Sequence, residues 1–191
     1  MKSIHAGMSL VLATLLTSLA GCGDSSTTTT DTTTGTATAT KTSTTTAKLA
    51  INELQPSNKD TITDDKGKAS DWIEIYNPEV VAVDLKGYTI GDSGTKQLIA
   101  GSLSVPAGGF VLLWADDSTG QGPNHLGFKL SAKGGDSLTL TDPTGKAVDT
   151  VSFGVATGQN VYARFPNGTG AFVWCDKPTP GAGNGVACGT P

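Results

Sequence analysis

Histidine, cysteine and basic side chains are scarce in this chain of 191 residues, and each scarcity removes a class of function. There are two histidines, His5 and His125, and three cysteines, Cys22, Cys175 and Cys188. An N-terminal signal, once cleaved, leaves only His125, too little for a zinc site built from His and Cys. Lys and Arg number 13 against 17 Asp and Glu, a formal net charge of −4, so the basic footprint that neutralises phosphates is missing and nucleic acid is disfavoured as a partner. No Gly-rich phosphate loop with its lysine occurs. A Ser-His-Asp set would need His125 beside Ser131 and Asp136, and no nucleophile-elbow sequence supports it. Helical periodicity is also missing, since after the N-terminal apolar run no stretch places apolar residues at helical spacing over three turns.

What is present begins with "MKSIHAGMSLVLATLLTSLAGC", an early lysine, a short apolar run and small residues before a cysteine. Residues 1–21 read as a secretory signal peptide. The run from Gly7 to Leu19 falls short of the roughly 20 residues of a membrane-spanning helix. Leu19-Ala20-Gly21-Cys22 resembles the lipobox of bacterial lipoproteins, which makes Cys22 a lipidated N-terminus. Acyl chains contribute about 0.8 kcal/mol per buried methylene, so two or three of them hold a protein on a membrane. Gly23 in place of an aspartate favours an outer membrane or the cell surface within the bacterial cell envelope. Residues 22–47 are threonine-rich, with almost nothing apolar larger than alanine. Such a segment cannot offset its ordering entropy and is expected to be a disordered tether, its hydroxyls open to O-linked sugars.

The stretch 48–184 is expected to be one domain, with 185–191 as a C-terminal tail. Setting Cys22 aside leaves Cys175 and Cys188 as an even pair in an exported protein, so a disulfide is expected. Short alternating or doubly apolar runs recur along the domain: "KLAINELQ", "DWIEIY", "VVAVDL", "GYTI", "KQLIA", "GFVLLWA", "HLGFKLS", "SLTLTD", "KAVDTVSF", "NVYARF" and "AFVWC". Turn formers such as "DSG", "PAGG", "KGGD", "DPTG" and "PNG" separate them. The pattern predicts an all-β fold, an immunoglobulin-like β-sandwich of mostly antiparallel strands. "FVLLWA", apolar on both faces, predicts a central strand. The apolar phase slips between Val148 and Val151, which predicts a bulge near Asp149. "HLGFKLS" and "SLTLTD" are expected to pair as a hairpin through "AKGGD".

In order along the chain, "INELQPSN", "TDDKGKASDWIEIYNP", "VDLKGYTIGD", "VPAGGFVLLWAD", "HLGFKLSAKGGDSLTLTDPTGKAVDTVSFG", "YARFPNG" and "PTPGAGN" together resemble the lamin tail domain in the version found on exported bacterial proteins. The resemblance covers roughly residues 48–184. It implies an immunoglobulin-like sandwich that serves as a binding or tethering module, often beside nucleases, other hydrolases or adhesive proteins. No attached enzyme accompanies it in this chain, so no catalytic role is implied.

Alternation along "DWIEIYNP" turns Ile73 and Ile75 toward the core and leaves Trp72, Glu74 and Tyr76 outward. Asp71 then lies across the pleat from Glu74, poor geometry for paired acid and base work, and no catalytic residue is expected. Trp72, Glu74 and Tyr76, with Tyr162 and Arg164 on one face of "NVYARF", are the candidates for contact with a partner. The structural reading of Arg164 is a side chain packed over a sheet face and paired with a carboxylate. Asp60, Asp64, Asp65 and Asp71 cluster in one loop and could hold a Ca²⁺, although their spacing is not that of an EF-hand. No other cofactor is expected. His125 is expected to end a loop or cap a strand. The reading that follows is a non-enzymatic binding module held on the membrane through Cys22 and engaging a protein or glycan. The alternative is a structural or envelope-organising lipoprotein without a dedicated ligand; a hydrolase or a Ca-dependent adhesin ranks below both.

Overall fold

The computed structural model describes residues 48–92, 94–185 and 188. The expected signal peptide (1–21) and the lipidated tether (22–47) lie outside the described residues, as does most of the tail 185–191. Among the described residues the strands are β1 (Ala50–Gln55), β2 (Asp71–Tyr76), β3 (Val83–Asp84), β4 (Thr89–Gly91), β5 (Lys96–Leu98) and β6 (Ser104–Val105). They continue as β7 (Phe110–Ala115), β8 (His125–Leu126), β9 (Asp136–Thr141), β10 (Ala147–Phe153), β11 (Val161–Phe165) and β12 (Ala171–Cys175). The helical structure described is one short 3₁₀ turn, Thr119–Gln121, and no described helix is long and apolar enough to cross a membrane.

A six-stranded sheet in the order β12-β11-β1-β2-β7-β8 faces a four-stranded sheet in the order β10-β9-β4-β5, while β3 and β6 form a small third sheet. This is the all-β, immunoglobulin-like sandwich that the alternation predicts. The strands pair antiparallel except β7 with β8, which run parallel. Between the layers Ile51, Leu54, Ile73, Ile75 and Leu113 of the long sheet meet Ile90, Leu138, Leu140, Val151 and Phe153 of the short one. β7 lies inside the long sheet, as its double-faced apolar run predicts.

Two bulges decide which side chains face where. In β1 the register with β2 shifts between Ile51 and Glu53, so Asn52 is the extra residue. Without it Ile51 and Leu54, three positions apart, would point to opposite faces; with it both enter the core. In β10 the register shifts between Ala147 and Asp149, next to the position the sequence predicts. Asp149 therefore shares the inward face with Val151 and Phe153, at the edge of the short sheet.

Two strand expectations are corrected. "HLGFKLS" contributes only the two-residue β8, which pairs with β7, and β9 pairs with β10 and β4, so the expected hairpin does not form. Leu126, Phe128 and Leu130 are nonetheless buried. Gly134 and Gly135, both at positive φ, make the reversal, and a Cβ on Gly134 would collide with the backbone of Gly154 and Val155. "VVAVDL" shrinks to β3, with Val80 and Val81 exposed.

The expected disulfide is present between Cys175 and Cys188, 13 positions apart. It ties the segment after β12 back to the sheet. Replacing both cysteines by serine should lower the unfolding free energy by about 3 kcal/mol, the loop entropy of a closure of this length. Urea denaturation of the oxidised protein and the variant measures it, and an unchanged midpoint would contradict a stabilising tie.

Candidate functional site

The long sheet has two faces, and the structure uses them differently from the sequence reading. Trp72 and Glu74, expected to point outward into solvent, are both fully buried, and only Tyr76 is half-exposed, stacked on Phe110 with ring centroids 4.9 Å apart. The reason is a third layer. The loop after β1 and the C-terminal strap cover the outer face, where Trp72, Trp114, Val161, Ala163 and Cys175 form a second apolar cluster with Ile62 and Cys188. Trp72 donates its Nε1–H to Gln55 Oε1 at 2.7 Å.

Beneath the strap two glutamates stand side by side, Glu53 on β1 opposite Glu74 on β2. Asn52 Nδ2 and the Gly181 N–H donate to Glu74 at 2.9 and 2.7 Å. The Thr179 N–H donates to Glu53 at 3.0 Å. Asn184, fully buried, donates to the carbonyls of Asn52 and Arg164, and its own N–H donates to Asn167 Oδ1. Burial pushes the Glu53 carboxyl up to about 7 and the Glu74 carboxyl up to about 8, the latter helped by the charge of Glu53. Thr179 Oγ1 lies 3.1 Å from Glu53 Oε2 and 2.9 Å from Asn184 Oδ1, two acceptors for one hydroxyl proton. A protonated Glu53 resolves this by donating to Thr179, which then donates to Asn184. Three of the four oxygens of the pair hold the strap and Glu74 Oε1 accepts from Asn52 of β1, an arrangement that fastens chain segments.

The inner face carries a different feature. Tyr162 pairs across the ladder with Leu54, a core residue, so it lies on the inward side of the long sheet. The short sheet ends at β10, however, and β11 and β12 extend past it. On this overhang Tyr162 stacks on Phe172, with centroids 5.0 Å apart, and meets the tilted ring of Trp174 at 4.9 Å, and all three rings are half-exposed. Arg164 closes the row, its guanidinium 4.4 Å from the centre of Phe172. The same guanidinium grips both oxygens of Asp149 at 2.8 and 2.9 Å and donates to the carbonyls of Ile51 and Gly170. Arg164 is therefore the packed, carboxylate-paired residue of the structural reading. Phe172 and Trp174 escaped the sequence reading because "AFVWC" was assigned no face; its pairing with "NVYARF" was the signal.

The four aspartates of the acidic loop do not gather as one ligand set. Asp60 is exposed and accepts from Gln159 Nε2 at 2.7 Å. Asp65 is exposed and bonded to Lys66, which holds its carboxyl below the usual range. Asp71, at the start of β2, is half-buried, and burial raises its carboxyl against N–H groups of Asn58 and Leu130. Asp64 is buried and turns instead toward two residues from elsewhere: among the described residues the grouping with metal-ligand spacing is Asp64, Asp116 and His125. The parallel pairing of Trp114 with His125 sets the imidazole beside the end of β7, where His125 Nδ1 lies 2.9 Å from Asp116 Oδ2. His125 starts a strand, but as a buried polar group.

Residues 42–154 match the Lamin Tail Domain family, more than half of the chain. The chain belongs to the lamin tail domain family. That family is an immunoglobulin-like, non-enzymatic domain class, compatible with a binding or structural module. The match ends at Gly154, so in this lamin tail domain protein β11, β12, the aromatic row and the strap over Glu53 and Glu74 all lie beyond it. No curated protein matches the chain.

Because both glutamates bind protons more tightly folded than unfolded, stability should fall as pH rises from the ordinary value of 4.5, with the loss complete above about 8. Glu53→Gln, whose amide donates to Thr179 as the protonated acid does, should flatten that decline and exceed the parent in stability at alkaline pH. Melting temperature against pH for the two proteins is the measurement; parallel curves would rule out Glu53 as the source.

Proposed function

We propose that this protein is a membrane-anchored, non-enzymatic binding module displayed on the bacterial cell envelope, where it engages a protein or glycan. The observation that carries the reading is the row Tyr162, Phe172 and Trp174 on the overhang of the long sheet. Three half-exposed rings in contact on neighbouring strands, Phe172 stacked on Tyr162 and Trp174 tilted against it, give an aromatic surface, with Tyr and Trp adding polar edges suited to a partner that is part apolar and part polar. The Arg164 clip fixes its geometry before any ligand arrives, which lowers the ordering cost of binding. The expected patch at Trp72 and Tyr76 is not offered as the surface, since Trp72 is buried. Support for the non-enzymatic part comes from the buried carboxylates, which are engaged in holding the strap.

The anchor in this reading is the acylated Cys22, with the threonine-rich residues 22–47 carrying the domain away from the membrane. Cys22→Ala should release the protein from the membrane fraction. Tyr162→Ala combined with Trp174→Ala should reduce crosslinking to the envelope partner at least tenfold while the chain stays anchored and folded. Crosslinking on whole cells, with purified cell-wall glycan as a competitor, separates the two ligand classes. Undiminished crosslinking by the double variant would overturn the assignment of the surface, and the lack of any crosslinked partner would favour a structural lipoprotein.

A further inference from the structure

Asp64 carries an oxygen with nothing to bond. Its Oδ1 accepts from the N–H groups of Lys66 and Lys68 at 2.9 and 2.8 Å, which fixes the carboxylate on its turn. Its Oδ2 is buried and has no hydrogen-bond partner. The residue is only 7% exposed, and it stands against Asp116 at 3% and His125 at 3%. A buried carboxylate oxygen without a donor is costly, and a second carboxylate beside it makes the position worse.

We propose that Asp64, Asp116 and His125 form a binding site for a divalent first-row transition ion. One ligand atom from each of the three lies within 4.8 Å of the others. Ligands round a tetrahedral ion with bonds of about 2.0 to 2.2 Å stand roughly 3.3 to 3.6 Å apart. The set brackets that spacing, from the 2.9 Å between His125 Nδ1 and Asp116 Oδ2 to the 4.8 Å within which all three ligand atoms lie.

Donor chemistry selects the ion. Ca²⁺ takes six to eight oxygens and little nitrogen, whereas one imidazole with two or three carboxylates suits Zn²⁺ and its first-row neighbours. His125 also lines a cavity of about 190 Å³ with Gln97, Thr119, Gly122 and Pro123, which holds no cationic side chain. An ion here would fasten the acidic loop to the end of β7 and to β8, adding a tie to the third layer over Trp72 and Trp114.

The test is titration of the full chain, stripped with a chelator, by Zn²⁺ and separately by Co²⁺ and Ca²⁺. Calorimetry should give one saturable Zn²⁺ per chain with a rise in melting temperature, and Co²⁺ should develop visible ligand-field absorption. Asp64→Asn keeps the turn oxygen and replaces the unpartnered one; it should weaken Zn²⁺ binding at least tenfold while circular dichroism stays native. His125→Gln should abolish the Co²⁺ absorption. The parent titration stands whatever the variants do: no saturable Zn²⁺ or Co²⁺ binding overturns the proposal. So does binding unaffected by Asp64→Asn, or a preference for Ca²⁺.

Discussion

A single inserted residue, Asn52, sets the terms for both faces of the long sheet. By shifting the register of β1 it brings Ile51 and Leu54 to the core side together and places Glu53 opposite Glu74 on the other. A bulge also frees backbone groups from the ladder, and those of Ile51 are met by side chains: its N–H donates to Asp149 Oδ2 of the short sheet at 2.8 Å, and its carbonyl accepts from Arg164 Nε of neighbouring β11 at 2.9 Å. The bulge in β10 supplies Asp149 at the right place. Two irregularities in two sheets thus meet through one ion pair, and that pair marks where the short sheet stops and the overhang of β11 and β12 begins.

The side chain of Asn52 does the corresponding work on the far face. Its amide donates to Glu74 and its oxygen accepts from the Gly168 N–H, while its backbone carbonyl receives Asn184 from the strap. Polar groups buried in such a network are stabilising only when all are satisfied. Here they are satisfied by chain from far along the sequence, and the disulfide at Cys175 and Cys188 keeps that chain close. The result is a domain with a third layer over the outer face of its long sheet and a half-exposed aromatic row on the inner face of the overhang.

How much of this the sequence disclosed follows the range of the interactions. Strand positions other than those of "HLGFKLS" and "VVAVDL", the double-faced β7, the bulge near Asp149 and the disulfide are written in local alternation or simple counting, and they were legible. Trp72 and Glu74 do lie on the outer face, but they are buried there, because alternation along "DWIEIYNP" reports which side chains share a face and says nothing of what covers it. The cover on Glu74 comes from Gly181, 107 positions away. The acidic loop shows the same limit: four nearby aspartates look like one ligand set, but Asp64 is completed by Asp116 and His125, which only the parallel β7 and β8 pairing brings to it. The sequence reading set His125 against cysteines and against Ser131 with Asp136, partners other than the carboxylates that the fold brings to it.

The central claim, that the overhang is held to the sandwich by the meeting of two bulges, rests on the pair of Asp149 and Arg164. A double-mutant cycle with Asp149→Ala, Arg164→Ala and both together, read by urea denaturation, isolates it. The account predicts that each single change costs about 3 to 5 kcal/mol, because it strands a partly buried charge, and that the double costs at least 1 kcal/mol less than their sum. Additive losses within about 0.5 kcal/mol would contradict it, leaving the two residues as independent contributors and the aromatic row without its clip.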